Sequence, residues 1–169
     1  REARFGSQYT IGGGVAPNQS ICFKYALRAD PNLKLSETLV TLVLNTKDYG
    51  GITYMYGDGS AIAVCPMSDD EYPYDFRGIV QHEAGGHGFG KLADEYIYHN
   101  AFIQTCNCIC CNHVEEFLAS KSHGWYDNLS LTGSYSDVPW AHLLYDELYQ
   151  NTTDVYEGGY FHTRGVFRS

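Results

Sequence analysis

His82 and Glu83 stand side by side, and His87 follows five residues after the first histidine. Two imidazoles beside a carboxylate form a donor set that can hold a transition metal and move a proton next to it. In the metal-binding pattern H-E-x-x-H, the two histidines share one helical face and the glutamate acts as general base. Here the run is H-E-x-x-x-H, one residue longer. In a regular α-helix, positions i and i+4 differ by about 40° and lie about 6 Å apart along the axis. Both rings then reach one ion at roughly 2.0–2.1 Å. Positions i and i+5 differ by about 140°, so a regular α-helix would point the rings apart. A single wide turn with i→i+5 bonding restores the shared face. The alternative is a helix that stops at Gly85 and leaves His87 in a turn. Gly85 and Gly86 lie in the interval, and glycine accepts the backbone angles either solution needs. Gly85, Gly86, Gly88 and Gly90 together would cost a plain helix about 1 kcal/mol each relative to Ala. The segment is therefore not built as a plain helix.

Glu83 is placed to take a proton from a metal-bound water, whose pKa the metal lowers towards about 7, and to pass it to the leaving amine. A third ligand must come from downstream. Gly90 stands three residues after His87, as in the metzincin pattern in which a sharp turn at Gly returns a third ligand to the metal. The residue six after His87 is Ala93, which cannot bind. Asp94 follows it, and then Glu95. On a continuous helix Asp94 would lie about 10.5 Å beyond His87, so it can bind only if the chain turns near Gly88 or Gly90. Asp94 ranks first and Glu95 second. Glu115 or Glu116 is the distant-glutamate alternative, and His99, His113, His123, His142 and His162 are further candidates.

These side chains must be positioned by a folded scaffold. The chain has 169 residues, a length that favours one domain with a core of its own. It is 44% apolar and 18% charged, which argues against disorder. The net charge of −9 argues against a nucleic-acid binder and against a polybasic lipid contact. The 15 tyrosines suit a wet cleft or recognition surface. No apolar run is long enough to span a membrane. The chain opens at Arg1 without a charged-then-apolar leader, so a mature or partial product is expected.

Residues 1 to 32 read as irregular, with Gly12 to Gly14 and Pro17 marking a loop and Ile21 to Leu27 a short strand or helix. Leu39 to Leu44 is β-branched and apolar, and reads as a strand buried on both faces. Ile52 to Tyr56 and Ser60 to Cys65 read as two further strands around a turn at Gly57-Asp58-Gly59. Pro66 to Pro73 reads as an acidic loop, and Asp75 to Gly86 as a helix entering the motif. Asn112 to Ser122 and Trp140 to Tyr149 are helix candidates, the second with Pro139 near its start. Tyr156 to Ser169 reads as loop or edge strand. The order implies α+β, or α/β-like, packing: a mixed sheet on the helix that carries His82.

Three other features could carry chemistry. Cys106, Cys108, Cys110 and Cys111 precede His113 and allow three readings: a thiolate metal site, disulfides to Cys22 and Cys65, or buried free thiols. Tyr160 or His162 could donate to a developing oxyanion, or simply pack. Asp69, Asp70 and Glu71 could bind calcium, although a solvated turn is the expectation.

The string from His82 to Tyr96, HEAGGHGFGKLADEY, resembles the immunoglobulin A peptidase family of zinc metallopeptidases, known from gut bacteria. Leu39 to Ser60 is similar to the strand and loop preceding the helix in that family, and Tyr156 to Arg168 to its Gly- and aromatic-rich downstream segment. The resemblance spans roughly residues 36 to 168, with His82 to Tyr96 its specific part. Many members have the ordinary H-E-x-x-H spacing. Metzincins place a Met-containing turn after the third ligand; Met55 and Met67 both precede His82, so that turn either lies beyond Ser169 or is missing. The resemblance implies a metzincin-like zinc endopeptidase domain over residues 1–169, secreted or held at the cell surface or in the periplasm. It implies zinc on His82, His87 and Asp94, Glu83 as base, and a protein or peptide substrate. The alternatives are a non-catalytic metal-containing binding or adhesion module, and a gluzincin-type peptidase with a distant Glu ligand.

Overall fold

The computed structural model describes residues 8–9, 15–47, 50–94, 113–158 and 161–163. The chain divides into two compact units, Arg1–Gly90 and Lys91–Ser169. Both mix helix and strand, so the fold class is α+β.

In the first unit β1 (Gln8–Tyr9) pairs antiparallel with β2 (Val15–Ala16). Helix α1 (Gln19–Ala29) follows, capped by Asn18, whose side-chain oxygen accepts from the Ile21 N–H at 3.1 Å. Three strands then form a mixed sheet: β3 (Leu39–Leu44), β4 (Ile52–Met55) and β5 (Ala61–Pro66), in the order β3-β5-β4. β3 runs parallel to β5, with Leu39 opposite Ala61, and β4 runs antiparallel to it, with Thr53 opposite Ala63. The β4–β5 turn uses Gly59 at φ +94°, where a side chain would be strained.

Strand β5 is central, and all six of its residues are buried. Its side chains alternate between two apolar layers. Ile62 and Val64 join Cys22 and Phe23 of α1 and Leu42 of β3. Ala63 and Cys65 join Ala84, with Leu39, Phe76, Ile79 and Val80 packed around them. The second layer is floored by small residues, which lets a helix lie close to the sheet. That helix begins as α2 (Phe76–Ile79), capped by Asp75, and continues without a break as a π-helix over Val80–Phe89. The Asp75 carboxyl lies below its usual range because it accepts the Gly78 N–H and then the Arg77 guanidinium.

The second unit contains α3 (His113–Ser122), β6 (Leu129–Ser130), α4 (Ala141–Leu144), β7 (Tyr156–Gly158) and β8 (Phe161–Thr163). Its sheet is antiparallel in the order β6-β8-β7. Phe117 and Leu129 form a core cluster against Ala93 and Tyr126. Trp140 is buried, and its Nε1–H donates to the Asp154 carbonyl at 2.9 Å. No described helix is long and apolar enough to cross a membrane.

Several expectations need correction. Of the two readings of Ile21 to Leu27, strand or helix, the structure has the helix, and it is longer, Gln19–Ala29, because Asn18 caps it upstream. β3 is an edge strand and is not buried on both faces: Thr41 is exposed, Val43 is 55% exposed and only Leu42 is buried. The doubly buried strand is β5. Trp140 to Tyr149 does not form one helix. Only Ala141–Leu144 is helical, because the Asp146 carboxylate accepts the Leu148 N–H at 2.8 Å and closes a local turn.

Candidate metal centre

His82 and His87 lie on the π-helix five residues apart, with Glu83 directly after the first of them. The i→i+5 register is explicit at its end, where the Gly90 N–H donates to the Gly85 carbonyl at 2.9 Å. The extra residue is therefore absorbed by ten residues of π-helix, not by one wide turn. The result is the shared face that the chemistry requires: the two imidazole rings have centroids 4.8 Å apart, with planes at 88°.

The chain then reverses. Neither Gly88 nor Gly90 takes the left-handed conformation at this turn. Gly90 has φ −75°, and Lys91 takes φ +52°. One donor atom each from His82, His87 and Asp94 all lie within 4.8 Å of one another. Two imidazole nitrogens and a carboxylate match the three protein ligands of a catalytic zinc site, which leaves a fourth position open. Tetrahedral zinc with bonds near 2.1 Å holds its donors about 3.4 Å apart. Donors already within 4.8 Å of one another need close by at most about 1.4 Å to meet that spacing, so the donor types fit the ion.

Glu83, next to His82 in the chain, is only 7% exposed. A buried carboxylate is costly unless hydrogen-bonded. Thr53 on β4 meets that need. Its hydroxyl lies 2.8 Å from Glu83 Oε2 and also 2.8 Å from the Glu83 carbonyl oxygen, so one proton is shared between two acceptors. Gly51, just before β4, makes the space. A Cβ there would fall 2.4 Å from Glu83 Cγ and 2.7 Å from Oε1. On the sheet side Cys65 is fully buried, and its thiol is pushed up to about 12 by burial and then by the Glu83 charge.

His82, Glu83, His87 and Asp94 are thus brought together. Thr53 and Gly51 were not singled out from sequence, because a Thr in a β-strand and a Gly in a Gly-Gly pair have many ordinary roles. Their only sequence signal is position, next to a strand expected to flank the motif helix. Glu115 is exposed on α3, and His123 and His142 are exposed. None of these three belongs to a metal-type group among the described residues. Nor does the acidic loop: Asp69 pairs with Lys47, and Asp70 accepts the Ser68 hydroxyl at 3.0 Å. Cys22 and Cys65 are free buried thiols, which removes them from any disulfide. Glu95, His99, Cys106, Cys108, Cys110, Cys111 and Tyr160 lie outside the described residues, as do the side chains of His113, Glu116 and His162.

No protein-family profile, no curated protein and no solved structure matches the chain.

Proposed function

We propose that this chain is a zinc-dependent endopeptidase that hydrolyses peptide bonds of protein substrates, with a metzincin-like site on His82, His87 and Asp94 and with Glu83 as general base. One observation carries the proposal: a π-helix puts two imidazoles on one face, with a buried, hydrogen-bonded glutamate next to the first of them. A regular helix of this sequence would separate the rings, and π-helical turns are rare and concentrate at functional sites. The likeness of His82 to Tyr96 to the immunoglobulin A peptidase family points the same way and brings with it an exported location.

His82 and His87 would hold the ion through one nitrogen each and Asp94 through a carboxylate oxygen. Zinc, when bound, supplies a Lewis acid for the scissile carbonyl and lowers the pKa of a water towards about 7. Glu83 accepts a proton from the attacking water at its carboxylate and delivers it to the departing amine nitrogen. Thr53 keeps that carboxylate in place by donating to Oε2. The buried floor of Ala63, Cys65 and Ala84 keeps water away from its far side.

The test pairs metal analysis with Glu83→Gln. The parent should bind about one zinc per chain and cleave an unfolded protein such as casein. The variant should keep the zinc and lose cleavage by about 10³-fold or more, since it retains the shape of the side chain without its basicity. Cleavage that survives in Glu83→Gln would remove Glu83 as base. A parent that binds no zinc at micromolar metal would end the proposal.

A further inference from the structure

Asp94 ends a stretch, Lys91–Asp94, that has no regular secondary structure. Something must fix such a stretch if its last residue is to serve as a ligand, because an unrestrained carboxylate would have to be ordered anew with each ion. Within the second unit, three contacts do this. The Lys91 carbonyl accepts the Tyr126 N–H at 2.8 Å. The Ala93 side chain packs on the cluster of Phe117 and Leu129. The third contact is made by Asn128. Its Oδ1 accepts the Ala93 N–H at 2.9 Å, and its Nδ2 donates to the Ala93 carbonyl at 2.7 Å.

We infer that Asn128 is the positioning residue for Asp94: its amide grips both backbone polar groups of Ala93 and so fixes where the next residue projects its carboxylate. The inference rests on the reading of Asp94 as the third zinc ligand. Asn128 is 1% exposed, so its amide is not a surface group that happens to meet a loop. The two bonds also fix the orientation of the amide, since only oxygen can accept from the N–H and only nitrogen can donate to the carbonyl. Among the side chains, an amide of this length offers a donor and an acceptor in one plane, matched to a backbone N–H and carbonyl. Asn128 itself is held by the turn from Tyr126, where the Leu129 N–H donates to the Tyr126 carbonyl at 2.9 Å, and Tyr126 takes φ +61° to start it. The residue before the carboxylate is thus tied to the core of the second unit by a side chain 35 residues away in sequence.

The inference makes zinc affinity, not only turnover, depend on Asn128. Supporting groups behind metal ligands typically change affinity 10–100-fold when removed. In the full chain, Asn128→Ala should weaken zinc binding by about tenfold or more, read by competition with a chromogenic chelator. In an Asp94→Ala background the same change should have no further effect on zinc affinity, because there is no carboxylate left to position. Asn128→Asp keeps the acceptor for the Ala93 N–H and loses the donor, so it should fall between parent and Asn128→Ala. If Asn128→Ala does not fold, Asn128→Asp carries the test. Folded variants that bind zinc like the parent would overturn the role of Asn128, as would a loss of affinity of equal size in both backgrounds. So would unfolding of both variants, which would make Asn128 a residue of the fold alone. Zinc binding by the parent that Asp94→Ala leaves unchanged would instead overturn the reading of Asp94 itself.

Discussion

Gly51→Ala adds one methyl group at the wall behind Glu83. The new Cβ would lie 2.4 Å from Glu83 Cγ, 2.8 Å from Cδ and 2.7 Å from Oε1. Carbon atoms in contact prefer about 3.5 Å or more, so the carboxylate must retreat by about 1 Å. The atoms that must move are the far part of a flexible side chain, so the fold should survive at an overpacking cost of about 1–3 kcal/mol. The Thr53 hydroxyl would lose its 2.8 Å contact with Oε2 in the process. A displacement of about 1 Å at a catalytic group costs on the order of 10²-fold in rate, equivalent to about 2.7 kcal/mol of barrier. The assay is cleavage of a fluorescently quenched casein, with zinc content measured on the same samples. With Glu83 as the proposed base and not a proposed ligand, kcat should fall about 100-fold with zinc content unchanged. Gly50→Ala is the control, since a Cβ there meets nothing within 4 Å. If Gly51→Ala cleaves as fast as the parent while Glu83→Gln is inactive, Glu83 does not work from the position seen here.

Two other perturbations probe the packing under the site. Gly88→Ala would bring a Cβ to 2.6 Å from Leu39 Cδ1 and 3.0 Å from Cδ2, which should cost about 1–3 kcal/mol in chemical unfolding. Adding Leu39→Ala should recover part of that loss, and strictly additive effects of the two changes would contradict the contact. Cys65, with its thiol pushed from 9.0 to about 12, should resist iodoacetamide in the native chain and react only on unfolding. The unfolded thiol ionises first as pH rises, so native stability falls between pH 9.0 and about 12 and is fully present below that window. Native labelling of Cys65 as fast as in denaturant, followed by mass spectrometry, would contradict its burial.

The sequence marked the two histidines and the glutamate because their spacing is local and has a mechanism behind it. The mismatch with a 3.6-residue period showed that the backbone must depart from an α-helix, but not for how long. The register spreads over Val80–Phe89 because it is set by packing on β5, a contact between distant residues. The same limit explains β3 and β5. Leu39–Leu44 and Ala61–Pro66 are both apolar runs, and periodicity cannot say which is central. Pairing decides it, and pairing is not written in either strand alone. Asn128 was the least legible of all. An Asn before Leu-Ser-Leu reads as a turn residue, and nothing near it in the chain indicates that its partner is Ala93.

The glycines of the π-helix serve two different ends. Gly85 is exposed, and a Cβ there would meet only the Val80 carbonyl, at 4.0 Å, so the site has room for a side chain. Its value lies in backbone freedom where the register widens. Gly86 and Gly88 are buried, and at Gly88 a side chain would strike Leu39. Gly88 serves close approach to the sheet. A π-helix has poorer intrinsic stability than an α-helix, so it persists only where outside contacts favour it. Here those contacts are the small-residue floor of Ala63 and Cys65 against Ala84, and the Thr53 hydroxyl on the Glu83 carbonyl in the middle of the helix. Thr53 therefore acts on Glu83 at two atoms. Through the carbonyl it supports the register that brings His82 and His87 to one face, and through Oε2 it holds the carboxylate. The extra residue between the histidines is thus accommodated by the strand next to the helix as much as by the helix itself.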